Sequence, residues 1–140
     1  MSIGDYGNTP LHYCAAYGKP SIIQFLIDLG AEINARGDMN MTPLHIAATG
    51  GNPESIIVLI KAGAEIEAVT DAGVTPLHCA AGDGGTNYHR AENIVSLISS
   101  GANIIAKTIA GDTPLHCAAR TGAAENMKAL IEAGADLTIQ

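Results

Sequence analysis

The tetrapeptide Thr-Pro-Leu-His occurs four times, at Thr9–His12, Thr42–His45, Thr75–His78 and Thr113–His116. The first two intervals are 33 residues and the third is 38. Four matches on a near-constant period define an internal repeat, and such a repeat dictates architecture before any single residue does. Each copy is one small unit that can bury its apolar face only by stacking on its neighbours.

The flanking residues carry helix chemistry. A threonine hydroxyl can accept from an early helical N–H, and proline suits the first helical position, where its missing N–H costs nothing. Leu11, Cys14 and Ala15 then fall at i, i+3 and i+4, one face of a short helix. Gly18-Lys19-Pro20 interrupts it. A second helix is predicted over Ser21–Leu29, with Ile22, Ile23, Leu26 and Ile27 as its apolar stripe and Gly30 as a left-handed terminator. Ala31–Asn34 is predicted to run extended into a turn at Gly37–Asn40. Asn40 takes the place that Gly73 and Gly111 hold later, asparagine being the next-best residue for positive φ.

The pattern replays around Ala47-Ala48, Ile56, Leu59 and Gly63, then Ala80-Ala81, Ile94, Leu97 and Gly101, then Ala118-Ala119, Met127, Leu130 and Gly134. Residues 1–140 are therefore read as one all-α domain. It is a solenoid of four helix-turn-helix repeats, at approximately 5–37, 38–70, 71–108 and 109–140, with protruding β-turn or hairpin loops. One Phe, four Tyr and no Trp leave the core to Ile, Leu, Ala and Cys.

These residues resemble the ankyrin repeat over essentially the whole chain. The Thr-Pro-Leu-His-x-Ala-Ala segment is followed by an aliphatic helix. That helix leads into Gly30-Ala31-Glu32-Ile33-Asn34, Gly63-Ala64-Glu65-Ile66-Glu67, Gly101-Ala102-Asn103-Ile104-Ile105 and Gly134-Ala135-Asp136-Leu137-Thr138. Some positions depart from the family pattern. Gly37, Thr70 and Thr108 stand where the family often has Asp, Cys14 replaces an Ala, and the third repeat carries five extra residues. The resemblance implies that the four histidines lock turns through hydrogen bonds. It also implies that the fold binds protein partners, and that turn tips and first-helix ends line the binding surface. Leu26, Glu32, Ile33 and Asn34 further resemble the pattern that asparaginyl hydroxylases modify in such repeats, with Asn34 as acceptor.

Charge and composition exclude other classes. Seven basic and 14 acidic residues give a net charge of −7, which argues against tracking nucleic-acid phosphates. No apolar run of 18 residues exists, so no membrane insertion is expected. Three cysteines are an odd count, and Met1–Pro10 shows no basic segment or apolar run. An intracellular, cytoplasmic location is expected, with the nucleus as the alternative. His78-Cys79 and His116-Cys117 invite a metal reading. Adjacent helical residues diverge by about 100°, however, and a repeat spacing of roughly 10 Å exceeds the ~2.0–2.3 Å bonds of a zinc site. No nucleophile elbow, phosphate loop or zinc-protease motif is present. No catalysis, cofactor or metal is expected.

Function is sought instead in residues that do not repeat. Tyr6, Asn8, Tyr17, Met39, Met41, Thr49, Asp71, Val74, Asp83, Asp112 and Arg120 are the candidate partner-binding residues. Asp5, Ala16, Asp38, Ala72, Ile109, Ala110 and Thr121 lie beside them. Tyr, Met and Arg are anchor types at interfaces. The expected partner is a protein whose apolar anchor is flanked by Lys or Arg. Tyr88, His89 and Arg90 are candidate contacts within the insertion, which either lengthens the inter-helix loop or extends the following helix. The alternative reading is a regulatory or targeting segment of a larger multidomain protein or secreted effector.

Overall fold

The computed structural model describes residues 7–17, 19–50, 53–83 and 91–134. Tyr6, Tyr88, His89, Arg90 and the side chain of Asp83 lie outside the described residues, as does the end of the last exit motif after Gly134. Among the described residues the elements are eight helices and no strand. They are α1 Pro10–Tyr17, α2 Pro20–Asp28, α3 Pro43–Gly50, α4 Pro53–Lys61, α5 Pro76–His78, α6 Ala91–Ser99, α7 Pro114–Thr121 and α8 Ala124–Glu132.

Helices of eight or nine residues are marginal alone, since isolated helices shorter than about 12–15 residues rarely hold in water. Stacking rescues them here. First helices pack on first helices (α1 on α3, α3 on α5, α5 on α7), and second on second (α2 on α4, α4 on α6, α6 on α8). The core between the two layers is aliphatic: Leu11, Ile23, Leu44, Ile56, Leu59, Leu77, Ile94, Leu97 and Leu130 are all buried. Burying each such side chain contributes about 1.5–3 kcal/mol. Ala15, Ala48 and Ala81 are buried between first helices, where anything larger would hold the layers apart.

Each second helix ends as the sequence predicts. Gly30, Gly63, Gly101 and Gly134 take φ of 95°, 109°, 105° and 105°. The N–H of Ala31 returns to the Leu26 carbonyl at 3.0 Å, and that of Gly30 to Ile27 at 2.9 Å, the paired bonds of a Schellman cap.

Three expectations are corrected. Pro20 does not belong to the interruption; like Pro53, it opens its second helix, where a missing N–H is harmless. The exit after Gly30 is not extended, because the Ala35 N–H closes a turn onto the Glu32 carbonyl at 3.4 Å. The third first-helix does not continue regularly through Ala80-Ala81. It runs from α5 into a wide π-like turn over Cys79–Asp83, with Gly82 at φ 134°. A Cβ at Gly82 would lie 2.6 Å from Thr121 Oγ1, so the close approach of α7 requires glycine there.

Candidate functional site

The four histidines are framework. Thr42 N–H donates to His45 Nδ1 at 3.1 Å, and His45 N–H donates back to Thr42 Oγ1 at 3.3 Å. Thr9–His12, Thr75–His78 and Thr113–His116 form the same reciprocal box, a histidine variant of the capping box. The other ring nitrogen does more than the resemblance implies, because it ties successive repeats together. Nε2 of His12, His45 and His78 bonds the carbonyls of Met41 (2.9 Å), Val74 (2.8 Å) and Asp112 (2.8 Å). A carbonyl only accepts, so Nε2 carries the proton; Nδ1 accepts from backbone, so the ring is neutral. Burial pushes His45 down to about 4, against the raising effect of its bond to the Val74 carbonyl.

Those three carbonyls lie at the base of three protruding loops. Gly37, Thr70 and Thr108 donate their N–H to Met41, Val74 and Asp112 at 2.8–3.0 Å. Thr70 Oγ1 accepts from the N–H of Ala72 and Val74, and Thr108 Oγ1 from Asp112, which is the work an aspartate would do there. Gly37 has no such side chain. Asn8 supplies the acceptor instead, taking the Asp38 N–H at 2.9 Å. A Cβ at Gly37 would clash with Asn8 Oδ1 and lie 2.9 Å from His12 Nε2.

The loop at 38–40 differs from its counterparts. Met39 and Asn40 both have positive φ, 57° and 62°, whereas only Gly73 and Gly111 do so in the next two loops. Asn40 conforms to the sequence prediction. Met39 does not, and a left-handed non-glycine residue costs about 1–2 kcal/mol. The strained turn holds the Met39 side chain out, 70% exposed.

Beneath these loops runs a groove of about 460 Å³, lined by Ala16, Met39, Met41, Ile46, Thr49, Gly50, Thr70, Ala72, Val74 and Cys79. Its walls are the first-helix layer on one side and the loop tips on the other. A second depression continues along Ala72, Val74, Thr108, Ile109, Ala110 and Asp112. The tips are bonded to each other there, Ile109 N–H to the Ala72 carbonyl at 3.0 Å. Asp38 and Asp71 are exposed at the rim.

The structure thus brings together Met39, Met41, Thr49 and Val74, with Ala16 and Ala72 beside them. Tyr17 is 75% exposed but does not line the groove. Asn8 braces a loop, and Asp112 forms an ion pair with Arg120 at 2.6 Å. Asn34 holds the Gly63 carbonyl and the Glu65 N–H, at 3.2 and 2.8 Å. Sequence reading missed Ile46 and Cys79. Both occupy the variable place after the histidine, which holds Tyr13 and Cys117 in the other repeats, so variation among repeats was a usable signal. Among the described residues no group of three His, Cys, Asp or Glu could hold a metal ion, and no helix is long and apolar enough to cross a membrane.

Stacked helix pairs, histidine-stapled loops and a groove beneath them define a helical-repeat solenoid. A family model described as ankyrin repeats (3 copies) matches residues 44–140, and one described as ankyrin repeats (many copies) matches residues 11–60. The chain belongs to the ankyrin-repeat family. Ankyrin repeats are in general protein–protein interaction modules and are typically non-catalytic. A search of curated proteins finds no match.

Proposed function

We propose that this chain binds a partner protein through the groove beneath its loops and performs no catalysis. The observation that carries this reading is the groove's lining. Met39, Met41, Ile46 and Val74, contributed by two loops and a first helix, meet on one apolar surface. Methionine's flexible, polarisable side chain suits an adaptable apolar anchor site. Exposed Asp38 and Asp71 on the rim and a net charge of −7 favour a segment carrying Lys or Arg beside its anchor. Three free cysteines, two of them buried, support a reducing, intracellular setting.

Panning the chain against a random-peptide display library tests this. Enriched peptides should carry a large apolar residue close to Lys or Arg. Met41→Ser combined with Val74→Ser should abolish their capture while cooperative unfolding is retained. Equal capture by that variant would sink the groove reading.

A further inference from the structure

The two loops that line the groove are joined differently from the pair that follows. Between the loops at 70–74 and 108–112 the tips bond directly, Ile109 N–H to the Ala72 carbonyl at 3.0 Å. The corresponding pair between the loops at 37–41 and 70–74 is Asp71 N–H and the Met39 carbonyl. Among the described residues no such bond joins them. A side chain spans that interval instead. Nη1 of Arg36 donates to the Asn40 carbonyl at 3.0 Å and to the Val69 carbonyl at 2.8 Å. This nitrogen carries two hydrogens in a fixed planar fork, so it can serve both acceptors at once.

Each acceptor stands where a loop is anchored. Asn40 follows the left-handed Met39 and is itself left-handed. The next carbonyl, that of Met41, is held by His12 Nε2 and by Gly37 N–H. Val69 precedes Thr70, whose N–H closes the following loop onto the Val74 carbonyl at 3.0 Å. Met39 and Met41 line the groove from one of these loops, and Thr70, Ala72 and Val74 line it from the other. The guanidinium thus ties together the two loops that wall the groove. In the second repeat the same position is Val69, which has no side-chain donor, and there the tips bond to each other.

We propose that Arg36 is a positioning residue for partner binding: it fixes the spacing of the two loops and so holds Met39 in the groove wall. The binding half of this proposal rests on the groove reading. Charge gives its test a sign. A partner segment bearing Lys or Arg is repelled by the Arg36 guanidinium, so loss of the charge alone would tighten binding. Loss of the clamp weakens it, because the apolar wall no longer stands preformed.

Amide hydrogen exchange followed by NMR without any partner tests the clamp, and fluorescence anisotropy with a display-selected peptide tests its effect on binding. Arg36→Met keeps a long stem and removes the donors. The Asn40 and Met41 amides bond the Gly37 and Asp38 carbonyls within the loop, and in this variant they should exchange at least about tenfold faster. The Thr108 and Gly111 amides, in the loop two repeats on, should not change. Peptide affinity should fall about fivefold or more. Lys107→Met removes the same charge at the counterpart position and should not weaken binding. Unchanged exchange at Asn40 and Met41 would overturn the clamp. Peptide affinity that is unchanged or tighter in Arg36→Met would overturn the positioning role. If panning enriches no peptide, the groove reading falls and the binding half falls with it, while exchange still decides the clamp.

Discussion

The Thr-Pro-Leu-His boxes and the loops they staple are bonded to each other, yet they answer to different constraints. Every box is the same four residues with the same reciprocal bonds. The loops share a backbone frame but not their tips: Asp38-Met39-Asn40, Asp71-Ala72-Gly73 and Ile109-Ala110-Gly111. The frame fixes where a tip stands, and the tip fixes what the groove wall is made of. One region is constant because the reciprocal threonine–histidine bonds require those residues. The other varies in side chains that stand largely exposed, Met39 and Ile109 at 70% and 79%.

Removing one staple separates the two most sharply. His45→Ala strips a buried ring that serves both Thr42 and Val74. The stranded N–H and carbonyl should cost about 3 kcal/mol, read as a lower midpoint in urea unfolding. His116 is half-buried and, among the described residues, is bonded through its box to Thr113. Water can replace those, so His116→Ala should cost about 1 kcal/mol. Equal losses would mean that the staple to the next loop contributes nothing.

Acid titrates the same staple without a mutation. His45 has its folded pKa lowered to about 4 from 6.5. Between those values the unfolded chain takes up a proton that the folded chain refuses. The stability is fully present above pH 6.5 and is lost as pH falls towards 4, by up to about 3 kcal/mol. Urea midpoints across that window should show this slope, and His45→Gln should flatten it.

At the tips the effect is smaller and changes sign. Met39→Gly relieves roughly 1–2 kcal/mol of left-handed strain against roughly 0.4–1 kcal/mol of added chain entropy, a net gain on the order of 0.5 kcal/mol. Ala72 has no positive φ to relieve, so Ala72→Gly should lose stability instead. Thermal midpoints of the two variants should move in opposite directions.

The boxes, their caps and the terminating glycines were legible in the sequence because they are local: cap, proline and glycine chemistry acts within a few residues. Loop tips were legible as candidates because they fail to repeat, and Met39 and Ala72 among them line the groove. What stayed hidden depends on contacts made across repeats. The Nε2 staple joins residues 29 apart in the first two instances, and no spacing rule exposes it. The need for glycine at position 82 follows from Thr121 close against it, a neighbour 39 positions away. Tyr17 looked like a groove residue because it ends a first helix. The structure leaves it exposed and outside the groove lining.

The most direct test of the division between frame and groove is one affinity series. Fluorescence anisotropy with a labelled display-selected peptide would be read against wild type, His116→Ala, and Met41→Ser with Val74→Ser. Binding should be at least about tenfold weaker for the groove pair, as for other buried anchor sites, and unchanged for His116→Ala. Unchanged affinity for the groove pair, or a comparable loss in His116→Ala, would contradict it.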